Sequence, residues 1–458
     1  MAAVRPLAAV VVLAVVVLLL PRSLSGEGRA AVFAFGLAVV LWSATSVPAA
    51  WVALACVLVL IALGGAGQEV LFASLSSDVV WLMIGAFVLG GAVQGTGLAA
   101  RLTSAVTSRA GSVGGVLWAV TVLVLPLSVL IPSTSGRAAV MLPVHRALSR
   151  AAGDARVSRA LSLLIPTIIL VSTISTLVGA GSHLVANDLL EQVSGERLSF
   201  LRWALYGVPF GVAASLLSCL VISRMFLDRD TRQRPLSVPA RAKTPFSRAE
   251  WRTLTVVVVM VGLWVSESAH GIEIATVAVV GAVVLTMPGP GVLSWKVGVK
   301  AVSWNLVVFV GAALVLGEAL IDTGAAQWVV ERLFAVSGIA VAGSPLLVLV
   351  VLSLLTLTSH VYMTSHAARA AALVPGVLYL GQSLDLDPVA MMFIGTVGMD
   401  YCLTFPVSSK ALLLFAELDE PTFDPPDLLR LSAVLLLGHV VLIVVFYYGY
   451  WQFVGLAL

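Results

Sequence analysis

The chain has 458 residues, 60% of them hydrophobic and only 11% charged, and carries a formal net charge of +3. A water-soluble globule of that composition would leave much of its apolar surface in water, so the composition selects a polytopic membrane protein occupying one integral domain. The apolar runs have helical length without period-two alternation, which argues against a β-barrel, and the scattered Cys56, Cys219 and Cys402 suggest neither a disulfide framework nor a zinc site.

Arg5 precedes an apolar run reaching Leu20, read as a retained first transmembrane helix in preference to a cleaved leader. Apolar segments follow at about 30–45, 48–64 and 79–98, with Ser46-Val47-Pro48 as a tight turn between two antiparallel spans. The segment 114–148 is interrupted at Ile131-Pro132-Ser133-Thr134-Ser135-Gly136. Arg101 and Arg109 lie before it and Arg146, Arg150, Arg156 and Arg159 after it; basic residues at both ends place both on the cytoplasmic side, so the segment reads as a re-entrant hairpin with Ser133 at its tip. In 157–190 the patch Gly179-Ala180-Gly181-Ser182 predicts an unwound helix.

After a span at 201–223, the polar stretch 224–252, with Pro235 and Pro239, reads as a cytoplasmic linker; a nucleic-acid-binding arm is the poorer alternative for so short a stretch between spans. The order then repeats. Spans at about 251–268, 273–288 and 303–321 precede a second hairpin at 343–380, turning near Thr364-Ser365-His366. A second broken helix, 389–415, is interrupted around Phe405-Pro406-Val407-Ser408-Ser409, and a final span covers 430–457. The strongest internal match pairs Ser133, Arg137 and Pro143 with Ser365, Arg369 and Pro375. One reversing span between the halves makes the expectation two inverted repeats, about 30–223 and 253–457, the pattern of a secondary transporter with a midplane site.

The stretch Trp81-Leu82-Met83-Ile84-Gly85-Ala86-Phe87-Val88-Leu89-Gly90, the run Gly95-Thr96-Gly97-Leu98-Ala99 and the two hairpin tips resemble the divalent-anion:sodium symporter family, within the wider ion-transporter superfamily. The likeness runs from about 30 to 457 and rests more on the order of elements than on one motif. It implies eleven spans plus two hairpins in a bacterial-type cytoplasmic membrane, a homodimer, elevator-like movement of the hairpin-bearing domain, and dicarboxylate, citrate or sulfate as substrate. Family tips read Ser-Asn-Thr, whereas this chain has Ser133-Thr134-Ser135 and Ser365-His366-Ala367. The family's broken-helix turns are replaced by Ala180-Gly181-Ser182-His183 and Ser409-Lys410-Ala411-Leu412. With the asparagines gone from the positions implied to hold sodium, no metal site is assigned, and the coupling ion is left as sodium or proton.

A hairpin tip opening into a half-helix presents unpaired N–H groups and a positive dipole end at membrane depth, which suits an anion. Ser133 and Arg137 are four residues apart, as are Ser365 and Arg369, so hydroxyl and guanidinium share a helix face; the expectation is two hydroxyls and two guanidiniums around one cavity. Ser133, Thr134, Ser135, Arg137, Ser365, His366 and Arg369 are therefore the substrate-binding candidates. The competing reading neutralises the arginines with Glu318, Asp322 or Asp400.

Gly179, Ser182, His183, Asp400, Ser408, Ser409 and Lys410 are candidates for coupling or support. Lys410 either replaces a bound cation, balanced by Asp400, or snorkels to the cytoplasmic surface. Histidine is the side chain whose ordinary range lies near neutral pH, so the presence of His183, His360 and His366 admits proton coupling; a hydrogen-bonded structural role is the bland reading. No nucleotide loop or metalloprotease motif is present. The reading is a secondary active transporter of small anions, not an enzyme, needing no cofactor and no nucleic acid. The alternatives are an anion channel, another antiporter of the ion-transporter superfamily, or an enzyme using His183 and His366 on a lipid-linked substrate.

Overall fold

The computed structural model describes residues 4–18, 23–45, 47–98, 101, 111–131, 133–236, 245–329, 332, 344–363, 365–418 and 420–458. Ser46, Ala99, Arg109, Pro132, Pro239 and Thr364, on which parts of the sequence reading fall, lie outside them. The described residues are helical with no strand, and seven helices are long and apolar enough to cross a membrane.

The first helices are α1 (Val4–Leu18), α2 (Gly26–Ala44), α3 (Ala49–Ala62) and α4 (Asp78–Gly95). The first hairpin is α5 (Val113–Leu130) with α6 (Thr134–Ala152), and the first broken helix is α7 (Ala155–Val171) with α8 (Gly181–Ser194), followed by α9 (Phe200–Phe226). Beyond the polar stretch come α10 (Arg248–Val265), α11 (Ile274–Thr286) and α12 (Trp304–Asp322). The second hairpin is α13 (Pro345–Thr358) with α14 (His366–Ser383), the second broken helix α15 (Pro388–Met399) with α16 (Lys410–Ala416), and α17 (Pro425–Gly449) closes the order.

Packing is reciprocal between the halves. Helix α4 lies on α11 while α12 lies on α3; α8 packs against α14 while α16 packs against α6. Each broken helix therefore reaches across to the hairpin of the other half, and residues of both tips line one cavity. Helices α9 and α17 pack together on the flank, where Phe210 stacks on Trp451 at 5.5 Å.

Both ends of the first hairpin meet one strip of chain. Val113 donates its N–H to the Arg234 carbonyl at 3.1 Å, Leu236 donates to Gly111 at 3.3 Å, and Arg234 pairs with Asp154, just past α6, at 3.1 Å. Start and finish of the hairpin thus lie on the same face. Arg146 and Arg159 on that face pair with Glu420, Asp424 and Asp427, so the acidic loop after α16 lies there too.

Three boundaries differ from the sequence reading. The stretch 224–252 contains helix: α9 runs to Phe226, a short helix spans Arg229–Gln233, and α10 begins at Arg248 behind a Ser247–Glu250 capping box. Asp228 caps the short helix by accepting from the Thr231 N–H at 2.7 Å, a local bond that organises the polar chain. The first break is wider than Gly179–Ser182 and starts at Ser172, passing through two single 3-10 turns. Hydroxyl residues bond back to the preceding turn there, as Thr173 does to the Leu170 carbonyl at 2.6 Å, and so offer the backbone an alternative to the helix ladder. The second break likewise begins at Asp400, before Phe405.

Candidate functional site

Four helices begin around one cavity of about 530 Å³. At the first tip, the Ser133 hydroxyl caps α6 by accepting from the Gly136 N–H at 3.2 Å; at the second, Ser365 caps α14 by accepting from Ala368 at 3.3 Å. Ser409 caps the short α16 in the same way, from Ala411 at 3.2 Å, whereas Ala180 begins α8 with no side-chain cap. All four N-terminal turns border the cavity, so partial positive charge converges on it from several directions. The cap serines recur because a Ser before a small-residue turn satisfies one of the orphan N–H groups that each restarted helix exposes.

Of the predicted substrate contacts, Ser133, Thr134, Ser135, Ser365 and His366 line the cavity. Arg137 and Arg369 do not, and the expectation of two guanidiniums around it is corrected here. Both arginines are fully buried and reach backward into the break of their own half. Arg137 donates from Nη2 to the Gly179 carbonyl at 3.0 Å, and Arg369 from Nη2 to Cys402 Sγ at 2.6 Å, with Nη1 3.5 Å from the Tyr401 carbonyl. The competing expectation of neutralisation by direct pairing fails equally: among the described residues neither arginine forms an ion pair with Glu318, Asp322 or Asp400. What the guanidiniums hold is unwound backbone. A restarted helix leaves carbonyls without intrahelical donors, and a forked cation that has no water nearby finds its partners among them.

Of the supporting candidates, Ser182, Ser408, Ser409 and Lys410 line the cavity, while Gly179 stands behind it as the acceptor for Arg137. Among the described residues, Lys410 is exposed, makes no ion pair, and is the only lysine or arginine bordering the cavity. Asp400 is not its partner. That carboxylate, 2% exposed, accepts from the Ser182 hydroxyl at 2.8 Å and faces His366 Nδ1 at 3.0 Å through Oδ1, and contacts His183 Nε2 through Oδ2. His183 also stacks on Trp203, with ring centres 4.9 Å apart. His360 is buried and bonded to the Leu357 carbonyl at 2.7 Å and Thr404 at 2.6 Å, a structural role. Residues 182, 183, 366 and 400 thus join three separate elements into one cluster against the cavity wall.

Sequence reasoning missed Ser303 and Asn305, which line the cavity at the start of α12, and Trp42 and Thr45 at the end of α2. Polar side chains at the ends of apolar segments were the available signal. Cys402, two residues past Asp400, was read only as an isolated thiol, yet it contacts both Arg369 and His366, with His366 Nε2 at 3.5 Å.

The chain as a whole is similar to known membrane transporters. The family model described as the sodium:sulfate symporter transmembrane region matches residues 2–457. A Cupriavidus necator protein described as a membrane protein is 27% identical over 84% of this chain and 76% of its own length. The sodium-dependent dicarboxylate transporter SdcS of Staphylococcus saprophyticus is 23% identical, covering 85% and 80% respectively. The citrate/succinate antiporter of Escherichia coli is also 23% identical, covering 75% and 73%. Among solved structures, the Alcanivorax borkumensis YdaH transporter superposes with a TM-score of 0.61 at 16% identity, over 83% of this chain and 88% of that one. A multi-pass helical chain matched over nearly its whole length in this way is a membrane transporter and not an enzyme, and it belongs to the sodium:sulfate symporter family.

Proposed function

We propose that the protein carries small organic dianions or trianions, of the dicarboxylate and citrate type, binding them in the cavity between the two tips. The observation that carries this reading is the convergence of the N-terminal turns of α6, α8 and α14 on that one cavity, two of them capped by serines. Carboxylate oxygens fit such a site because each accepts from backbone N–H and serine hydroxyl without requiring a buried countercharge. Lys410, exposed at the cavity wall, adds a positive charge suited to a second carboxylate.

The two repeats, about 30–223 and 253–457, account for the reciprocal packing of α4 on α11 and α12 on α3. In this reading Ser133, Thr134, Ser135, Ser365 and His366 contact the anion. Ser182, Ser408 and Ser409 complete the wall, and Arg137 and Arg369 stiffen the breaks behind it. Transport proceeds by elevator-like displacement of the hairpins with the broken helices in a homodimer, driven by a cation gradient or by exchange.

Proteoliposomes holding the full chain test this. Uptake of labelled succinate or citrate should saturate, accumulate the anion, and weaken in Ser133→Ala and Ser365→Ala. Non-saturating flux that only equilibrates would mean a channel and overturn the proposal.

A further inference from the structure

His183 carries an observation that the anion site does not use. Its Nδ1 lies 2.9 Å from the Thr176 carbonyl oxygen, and its Nε2 hydrogen-bonds the Asp400 carboxylate. Both neighbours are acceptors, whereas a neutral imidazole has a single N–H. Closing both contacts takes one proton more than a neutral histidine and a carboxylate hold between them, whether that proton rests on the ring or on the carboxyl oxygen. Both side chains are sealed from solvent, and the other carboxylate oxygen is already engaged by Ser182 and His366. The charged and titratable groups around the pair are His366 and Arg369 from α14, Tyr401 and Cys402 from the second break, Arg137 from α6, and, packed on Tyr401, His360 from the end of α13 and His439 from α17. Among the described residues, Asp400 is the sole carboxylate hydrogen-bonded to any of them.

We propose that the His183–Asp400 pair binds one exchangeable proton, reached through His366, and that this proton travels with the anion as the coupling ion of the transporter. The coupling rests on the anion-transport reading above; the proton site stands on its own geometry. Ser182 and His366 touch both Asp400 and the cavity. When the proton leaves, a net negative charge is uncovered one side chain away from the bound anion. For each unit of anion charge, a unit charge ~8 Å away at an effective dielectric of about 20 changes affinity about thirtyfold, hence about a thousandfold for a dianion. By linkage the anion raises the proton's affinity by the same factor. For entry, His366 accepts a proton from cavity water on one ring nitrogen and passes the Nδ1 proton to Oδ1 of Asp400, and rotation of the protonated carboxyl then presents it to His183 Nε2; release reverses these steps.

The test uses the full chain in sodium-free proteoliposomes, with labelled succinate and citrate as probes and a pH dye inside. An acid-outside gradient should drive accumulation by up to about tenfold per pH unit for one proton coupled to each anion. The lumen should acidify only when anion is present, and a protonophore should abolish the accumulation. Asp400→Asn should lose the response to the gradient. Anion uptake in these vesicles with no proton entry, or uptake that begins only once sodium is added, overturns the proposal while leaving anion transport intact. If neither probe is taken up, the anion reading fails, and infrared pH-difference spectra of the purified wild-type protein decide the proton site. A protonated-carboxyl or imidazolium band that disappears as pH rises, and that is missing from Asp400→Asn, is the expected result; no such band overturns it.

Discussion

Gly207 on α9 offers the sharpest test of how the first break is held. A β-carbon at this position would lie 2.1 Å from the Ile174 carbonyl oxygen, while ordinary contact begins at 3.4 Å, so in Gly207→Ala helix and break must separate by about 1.3 Å. The same carbonyl accepts from Trp203 Nε1 at 2.9 Å, and Trp203 stacks on His183. Separation therefore strains one close-packed contact, at about 1–3 kcal/mol. It also stretches one buried hydrogen bond, at about 1 kcal/mol. Because a binding site tolerates displacements of only about 0.5 Å, anion uptake should fall by at least roughly tenfold. Gly262→Ala on α10 is the control: nothing lies within 4 Å of its β-carbon, and alanine favours the helix by about 0.8 kcal/mol. The assay is thermal unfolding of purified full-length protein beside proteoliposome uptake. If Gly207→Ala matched the control in both Tm and transport, the proposed rigid seat beneath the break would be refuted.

Ser133→Ala and Ser365→Ala should each lower stability by about 1 kcal/mol through the lost cap, seen as a lower Tm, and raise KM for the anion. Lys410→Gln should raise KM by roughly tenfold with Tm unchanged, because the side chain is exposed and unpaired, and Lys410→Arg should restore most of the affinity. Arg137→Met should reduce the maximal rate while KM stays within about twofold, since the guanidinium holds Gly179 and does not reach the cavity; a large rise in KM alone would return it to the binding site. On the linker face, the Thr231 backbone N–H and then the Arg156 guanidinium hold the Asp228 carboxyl below its ordinary value. A depressed pKa contributes stability that is present above the unfolded value of about 4 and is lost as pH falls through the folded value, so Asp154→Asn/Asp228→Asn should be less stable than wild type near neutral pH, the difference closing in acid; equal stability near neutral pH would refute the contribution of these bonds. Chemical denaturation across pH measures this.

Apolar run lengths, the serines at the two tips and the order of elements determine by themselves a helical membrane protein with two interrupted hairpins, because a chain in lipid must close its own backbone bonds and can break a helix only where small or polar residues cap the ends. The same local logic places Ser133, Ser365 and Ser409 at helix starts. It does not say where a long side chain goes. Arg137 and Arg369 stand one helical turn past their cap serines, a spacing equally compatible with facing an anion or a break, and only the packing of α6 and α14 against the unwound segments directs them to Gly179 and Cys402. The cluster of His183, His366 and Asp400 is likewise a tertiary product, since its members lie up to 217 positions apart and meet because α8 crosses to the opposite hairpin. Periodicity reports which face of one helix is apolar; which partner that face finds is decided by the competition of all faces for contact, and no single segment contains that information.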